Sequence, residues 1–356
     1  MLNVLTINCG SSSLKASFFS EDGLRQNFHY AQNKHDPSHA FEENLKQLLN
    51  DLGGNIPNIV GHRFVHGGEV TDLARLVDKT ERHRLETIIP LAPLHLPNNL
   101  LGLDSCARYF NVPQIACFDT AFHSTMPALA KRLPIPNTLA IHRFGFHGLN
   151  YAYIAKTLPK VIDEIASKKV IVAHLGSGAS LCMLENLKSI DTTMGYTPAG
   201  GIVMGTRSGD LDPGVMLALA EHYDLQQLRE VVFNEMGLIA LSGGESADMQ
   251  QLLSSHTDDA KFAVAYFCQQ IRGAIGALAS KAGGVDALVF TGGIGEHSAI
   301  IRENICRPLH FIGIKLDNKL NQSAATRIES NDSKPIAIIQ ADEELMICDL
   351  CLRTQQ

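Results

Sequence analysis

Hydrophobic and polar positions along this chain follow two rhythms, and the changes between them mark its elements. From Asn3 to Phe19, Val4, Leu5 and Ile7 make an apolar arm and Cys9 to Ser13 a small polar turn. Leu14, Ala16 and Phe18 then alternate with Lys15, Ser17 and Phe19. That pattern predicts two strands joined by a tight turn. From about His39 to Leu52 the spacing lengthens, and Phe41, Leu45, Leu48, Leu49 and Leu52 share one helical face, ended by Gly53-Gly54. A second strand, turn and strand follows half a chain later, in Lys169–Leu175, Gly176–Ser180 and Leu181–Leu184. Two such units are either duplicated domains or two unrelated hairpins, and the pattern alone leaves both open. Asp258 to Ala282 reads as a long amphipathic helix. Its stripe is Val264, Phe267, Ile271, Ile275 and Leu278, with acids in the first turn and Gly283-Gly284 after the last. It runs into the apolar Ala287–Phe290 and then Thr291-Gly-Gly-Ile-Gly295. Strand, helix and strand in this alternation predict α/β layers.

Composition sharpens the class. The chain has 356 residues, which suggests two domains, and is 45% hydrophobic and 19% charged, with no tryptophan. Thirty basic against 37 acidic residues leave a net charge of −7, which excludes a nucleic-acid-binding surface. A small acidic ligand stays open, because a few cations focused in a cleft outweigh diffuse surface charge. No apolar run approaches the roughly 18 residues of a membrane span, and the start has no signal-peptide pattern. Eight scattered cysteines in so long a chain point to a cytoplasmic, reducing compartment.

Several motif matches carry nothing. Ser12-x-x-Lys15 lacks the partner motifs of a β-lactamase, and Cys348-x-x-Cys351 lacks a second pair for zinc and suits a partly buried terminal helix. Gly10 to Lys15 lacks Walker A spacing, and Ser298 stands where a dinucleotide fingerprint needs its third glycine. More specific is Asn8-Cys-Gly-Ser-Ser-Ser-Leu-Lys15, which gathers backbone donors, hydroxyls and one cation at a tight turn. It suits phosphate oxygens, the alternative being an ordinary hairpin turn. Arg63 and Arg207 sit in glycine-rich, turn-forming surroundings, where a guanidinium fork suits carboxylate or phosphate and a surface loop is the alternative. Asp212-Pro213 reads as a helix start. His95, His123, His147 and His174 lie within such motifs without metal-ligand spacing. Beside arginines and a phosphate loop, one or two read as donors to a transferring phosphoryl group.

Together these stretches resemble the acetate kinase family, within the acetokinase group of the actin, sugar-kinase and heat-shock-70 superfold. The matches are Asn8–Lys15, Gly61–Gly68, Pro90–Pro97, Phe118–His123, Arg143–Gly148, His174–Ser180, Asp191–Pro198, Gly205–Pro213, Phe290–Glu296 and Asp342–Leu345. They run in the family's order over nearly the whole chain. The resemblance implies two duplicated actin-like (ribonuclease H-like) α/β domains, with mixed sheets flanked by helices and an active site in the interdomain cleft. The domains are expected at 1–120 plus 343–356 and at 121–342. The implied activity is reversible, ATP- and Mg²⁺-dependent phosphorylation of acetate to acetyl phosphate, with Mn²⁺ as a substitute metal. Propionate, or a non-catalytic nucleotide-dependent sensor, are the alternatives, and a homodimer is the implied assembly.

By the same resemblance, Asn8 and Glu343 would hold the metal, with Ser11, Ser13 and Lys15 near the phosphates. Arg63 and Arg207 would flank the carboxylate and the phosphoryl group, His147 and His95 would donate to it, and Asp119 is the family's acid/base. Gly176, Ser177, Gly178, His174, Gly293, Ile294, Gly295, Glu296 and His297 would line the nucleotide pocket, with Asp248, Met249 and Gln250 at the nucleoside. Val65, Leu94, Phe146 and Pro198 would form the pocket for the substrate methyl group. Four positions depart from the family pattern. Ser177 and His297 stand in place of Asn, Gln250 in place of Arg, and Asp342 in place of Asn, the last adding charge near the metal. The first three fall on the nucleotide side, which implies retained chemistry with altered nucleoside preference. A carboxylate substrate, with a pKa of roughly 4.3, is already ionised at neutral pH, so the barrier is anion meeting anion rather than deprotonation. Arg63, Arg207 and His147 are therefore expected to matter more than a base, and Asp119 to orient a cation.

Overall fold

The computed structural model describes residues 2–9, 13–31, 37–93 and 95–354, with the backbone alone at 37–40. The chain divides into two compact units, Met1–Ser124 with Phe146–Tyr153 and Asp342–Gln356, and Thr125–Gly145 with Ile154–Ala341. No helix among the described residues is long and apolar enough to cross a membrane.

The first unit is built on strands β1 (Val4–Cys9), β2 (Ser13–Phe19), β3 (Arg25–Ala31), β4 (Ile59–Phe64), β5 (Ala74–Leu76) and β6 (Gln114–Phe118). Their order is β3-β2-β1-β4-β6-β5. β1 pairs antiparallel with β2 and parallel with β4, and β4 runs parallel to β6. Helix α1 (Pro37–Asp51) buries the expected stripe of Phe41, Leu45 and Leu48, together with Leu52 just beyond it, against β1 and β2. Helix α2 (Leu96–Tyr109) adds Leu96, Leu100 and Leu103 to a neighbouring cluster with Phe64 and Phe118. A terminal helix, α9 (Glu343–Thr354), packs Met346, Ile347, Leu350 and Cys351 onto Val4, Ile59 and Ile115. The Cys348-x-x-Cys351 pair is thus core, 5% and 0% exposed.

Three expectations need correction here. Arg63 is on strand β4 rather than in a turn, because Ile59–Phe64 is a sheltered parallel strand and the turn begins only at Gly67-Gly68. Lys15, the cation of the expected phosphate turn, lies not in the turn but on β2, solvent-exposed and opposite Asn8. Phe146–Tyr153 belongs with the first unit, although the expected boundary put all of 121–342 in the second. The reason is local: at Gly148, which opens α3 (Gly148–Thr157), an added Cβ would lie 1.8 Å from the Asp119 carbonyl oxygen. Only glycine lets this helix start against β6.

The buried His62, next to Arg63, donates from Nε2 to Gln114 Oε1 at 2.7 Å, while its Nδ1 has no hydrogen-bond partner among the described residues. Burial pushes its pKa down to about 4, against the opposing pull of Gln114. Above the unfolded value of roughly 6.5 both states are neutral and the group is silent. Below it the unfolded chain binds the proton first, so stability falls until about pH 4, by ~3 kcal/mol in all. Urea unfolding at pH 7 and pH 4.5 should therefore show a smaller acid loss in His62→Gln than in the parent. Equal losses would refute a buried neutral imidazole.

The second unit carries β7 (Lys169–Leu175), β8 (Ala179–Glu185), β9 (Lys188–Thr192), β10 (Ala287–Thr291) and β11 (Ile336–Ile338). Their order is β11-β10-β7-β8-β9. The β7–β8 and β8–β9 pairs are antiparallel, and β10 is parallel to both β7 and β11. Read from β3 to β6, the first sheet has the same order and the same strand senses as this one from β9 to β11. Of the two readings left open above, the topology selects duplication.

Helices α4 (Pro213–His222), α5 (Leu225–Glu230), α6 (Met249–Ser254), α7 (Asp258–Ala282) and α8 (Gly292–His297) belong to this unit. Helix α7 has the expected bounds and stripe, with Val264, Phe267, Ile271, Ile275 and Leu278 buried. Thr257 caps its first turn, acidic Asp258 and Asp259 follow, and Gly283 ends it at φ 70°.

Candidate active site

In the first unit, five polar side chains meet where β1, β4 and β6 end and α9 begins. Arg63 is the centre. Its Nε and Nη2 donate to Asp119 Oδ2 at 3.0 and 2.7 Å. Its Nη1 donates to Asn8 Oδ1 at 3.3 Å and lies 3.2 Å from Glu343 Oε2. Asn8 in turn gives its amide to Glu343 Oε2 at 3.0 Å and to Glu344 Oε1 at 3.4 Å. Burial opposes the Arg63 charge, but Asp119 and Glu343 more than offset it, and its pKa rises above the ordinary arginine value.

Asp119 is fully buried, and both of its oxygens are committed. Oδ2 holds Arg63, and Oδ1 accepts the Leu149 amide at 3.1 Å, in the first turn of α3. A carboxylate so fixed orients its partners. Just before that turn, His147 sits at φ 59°, in the left-handed region that a non-glycine residue adopts at a cost. The preceding loop is tied by His123 Nε2 to the Phe146 carbonyl at 2.9 Å. His66, beside Val65, meets the buried Phe146 edge-on at 5.7 Å. His95 precedes α2 as its N-cap residue without a side-chain cap bond.

Asp342, expected to add charge near the metal, is held in an ion pair. Arg25, which sequence reasoning passed over, takes it in a two-pronged pair at 2.6 and 2.9 Å. Of the expected phosphate residues, Ser13 opens β2, and Ser11 lies outside the described residues, as does Leu94 of the expected methyl pocket.

In the second unit, a cavity of about 500 Å³ is lined by Gly176, Ser177, Asp248, Met249, Gln250, Gly293, Ile294 and His297. All eight were expected at the nucleotide. Ala247, Leu253 and Ser298 complete it and were missed, since small or apolar residues in a loop and a short helix carry no motif. His174, Gly178, Gly295 and Glu296 do not line it. Gly295 is buried beneath the wall, and Glu296 Oε1 instead accepts the Gly292 and Ala341 amides. Asp248 caps α6 by accepting from the Gln251 amide, so one of its oxygens is already used.

The cavity is tied to Arg207. The Ser177 carbonyl accepts the Gly205 amide at 3.1 Å, two residues before Arg207. Thr206 and Met204 are bonded to Met236 and Leu238, and between these lies Gly237 at φ 75°. A Cβ there would come within 2.2 Å of the Met204 carbonyl oxygen and 2.7 Å of that of Arg207. Gly237 is therefore a positioning residue that the motif search missed, because its partners lie thirty positions away. Among the described residues, Arg207 donates only to the carbonyl of the buried Pro198, at 2.7 Å. Among the described residues no carboxylate pairs with it, and burial pulls its pKa down to about 10. A partly buried guanidinium without a counter-ion is prepared for an anionic ligand.

Comparison with known proteins gives one consistent answer. A family model described as the acetokinase family matches residues 3–349. An acetate kinase of Nitrobacter hamburgensis is 41% identical, covering 98% of this chain and 95% of the relative. The solved structure of a propionate kinase from Francisella tularensis superposes with a TM-score of 0.90 at 31% identity, covering 99% of this chain and all of that one. That of Porphyromonas gingivalis acetate kinase gives 0.87, also at 31% identity, with both chains fully covered.

Proposed function

Since the chain belongs to the acetokinase family, we propose that it transfers the γ-phosphoryl group of ATP to acetate, reversibly, forming acetyl phosphate. The observation that carries this reading is Arg207, an unpaired guanidinium whose loop is bonded to the wall of a nucleotide-sized cavity.

The attacking carboxylate needs no base, so the catalytic task is to align two anions and neutralise their repulsion. Arg207 binds the phosphoryl oxygens in flight, and its two-pronged geometry fixes their orientation. Arg63, held rigid by Asp119, directs its remaining donor capacity toward the substrate carboxylate. His147 and His95 donate to the phosphoryl group, and the strained backbone at His147 sets its ring before substrate arrives. Ser11, Ser13 and Lys15 serve the phosphate tail. Val65, Leu94, Phe146 and Pro198 receive the methyl group. Asn8, Glu343 and Glu344 are hard oxygen donors of the kind Mg²⁺ uses when phosphate oxygens complete its shell, and Mn²⁺ would fit the same set. When bound, the ion would neutralise phosphate charge. The eight cysteines are all free and buried, which suits a reducing cytoplasm, and the family resemblance carries a homodimer as the assembly to expect.

Trapping the acyl phosphate as its hydroxamate tests the reaction. Signal with acetate and ATP, weaker with propionate and weaker again with butyrate, is expected, because one methylene discriminates by only about 1–3 kcal/mol. A propionate kcat/KM above that for acetate would reassign the substrate, and no signal with any acid would leave a nucleotide sensor. Run with GTP and CTP in place of ATP, the same assay reads the cavity rim. Gln250 is a neutral amide that can offer a donor or an acceptor, so ATP and GTP should differ by less than tenfold. Strict ATP selectivity would overturn that part of the reading.

A further inference from the structure

Arg25 opens β3, the edge strand of the first sheet, yet its guanidinium pairs 317 residues away in sequence. It grips the carboxylate of Asp342, the residue directly before the two glutamates that begin α9. Asp342 also caps that helix. Its Oδ1 accepts the Leu345 amide at 3.0 Å, and its carbonyl accepts the Met346 amide at 3.2 Å. The fork therefore holds the residue from which Glu343 and Glu344 take their direction. Arg25 is itself fixed from behind. Its Nε donates to Asn27 Oδ1 at 2.7 Å, and the same oxygen accepts Ser17 Oγ at 2.7 Å. The cation lies 4.9 Å from the centre of the Phe19 ring. All three nitrogens are engaged, so this side chain acts by holding rather than by binding substrate.

We infer that Arg25 is a positioning residue for the metal carboxylates: through the Asp342 cap it sets where Glu343 and Glu344 stand. This rests on the reading of Asn8, Glu343 and Glu344 as the Mg²⁺ donors and adds the group that aims two of them. Three successive carboxylates, Asp342, Glu343 and Glu344, repel one another at a helix start. Pairing the first with Arg25 relieves that repulsion and leaves the other two to Asn8, Arg63 and the ion. Stability is a minor part of the effect. The two side chains are 30% and 20% exposed, and ion pairs so placed contribute little to folding. Position matters more, because partners one step behind a metal ligand change metal affinity by about 10–100-fold. The two effects differ in sign. Losing Arg25 makes the surroundings of the ion one charge more negative, which alone would tighten a divalent cation. Losing the position of Glu343 and Glu344 weakens it instead.

Mn²⁺ titrated into the full chain, with the free ion read by electron paramagnetic resonance, separates the two. Arg25→Met keeps an apolar stem beside Phe19 and should bind Mn²⁺ about tenfold more weakly, with melting temperature and far-UV spectrum close to the parent's. The Mg²⁺ concentration giving half-maximal hydroxamate should rise by the same factor. Arg25→Lys, a charge without a fork, should fall between parent and Arg25→Met, and it decides the matter if Arg25→Met melts early. Arg25→Met/Asp342→Asn restores the net charge and keeps a capping oxygen, yet should stay as weak as Arg25→Met because nothing grips the helix start. Unchanged or tighter binding in Arg25→Met, or parent-like binding in the double variant, would overturn the positioning role. Glu343→Gln checks the reading beneath it and should lose the most affinity. If Glu343→Gln binds Mn²⁺ as the parent does, the metal assignment itself fails. A loss there with none in Arg25→Met removes Arg25 alone.

Discussion

Arg207→Ala lowers kcat by about 10³-fold or more, with the KM for ATP changed only a few-fold, if this side chain stabilises charge in the transition state. The structure makes the experiment clean. Among the described residues Arg207 has no acidic partner to strand, and its one hydrogen bond is to the Pro198 carbonyl, so removing it breaks no ion pair there. The alanine variant should therefore fold as the parent does, which circular dichroism and a urea midpoint would verify. Arg207→Lys keeps the charge but loses the planar fork, and should recover only a minor part of the rate. Added guanidinium should partly rescue the alanine variant and leave the lysine variant unaffected. A loss in kcat below tenfold, or an equal rise in KM for both substrates, would mean that Arg207 binds ground states alone.

Asp119→Asn should cost about 10²-fold in kcat, the scale of a misplaced catalytic group, without changing the shape of the pH–rate profile. Both oxygens of Asp119 are occupied in the structure, one by Arg63 and one by the Leu149 amide. The substitution therefore acts by loosening Arg63, which would keep Glu343 as its remaining charge partner. Stability should fall by ~2 kcal/mol, less than for a fully enclosed pair, because Arg63 is 19% exposed and stays paired. A general base would behave otherwise: the acidic limb of kcat/KM would disappear in the variant. That outcome would overturn the orienting role.

The elements themselves were largely legible, for identifiable reasons. Helix α7 announces itself through a capped start, a complete apolar stripe and a glycine stop, all within one window. The hairpins β1–β2 and β7–β8 are local for the same reason. Arg63 was placed in a turn because Gly61, Gly67 and Gly68 surround it, whereas the parallel partners β1 and β6 that make its segment a strand are remote in sequence. The segment Phe146–Tyr153 groups with the first unit through contacts remote in sequence, Gly148 and Leu149 against Asp119 and Leu149 and Ala152 against Val4, Ile59 and Ile115, so the expected boundary did not separate it. At the site, charged and glycine-rich residues were visible as motifs. Arg25, Gly237, Ala247 and Leu253 were not, since they act by pairing, close approach or lining, and these exist only after folding.

The terminal helix α9 has one more consequence. It supplies both Glu343 and Glu344 and the apolar cover for Val4, Ile59 and Ile115. During synthesis the first sheet is complete once Phe118 has left the ribosome, yet one of its faces, which Leu149 and Ala152 of α3 cover only in part, waits more than two hundred residues for the rest of its cover. Truncated or stalled products therefore lack the acidic pair and present a sticky sheet instead. Such fragments should be inert and quickly handed to chaperones or proteases, so that only chains finished through α9 persist.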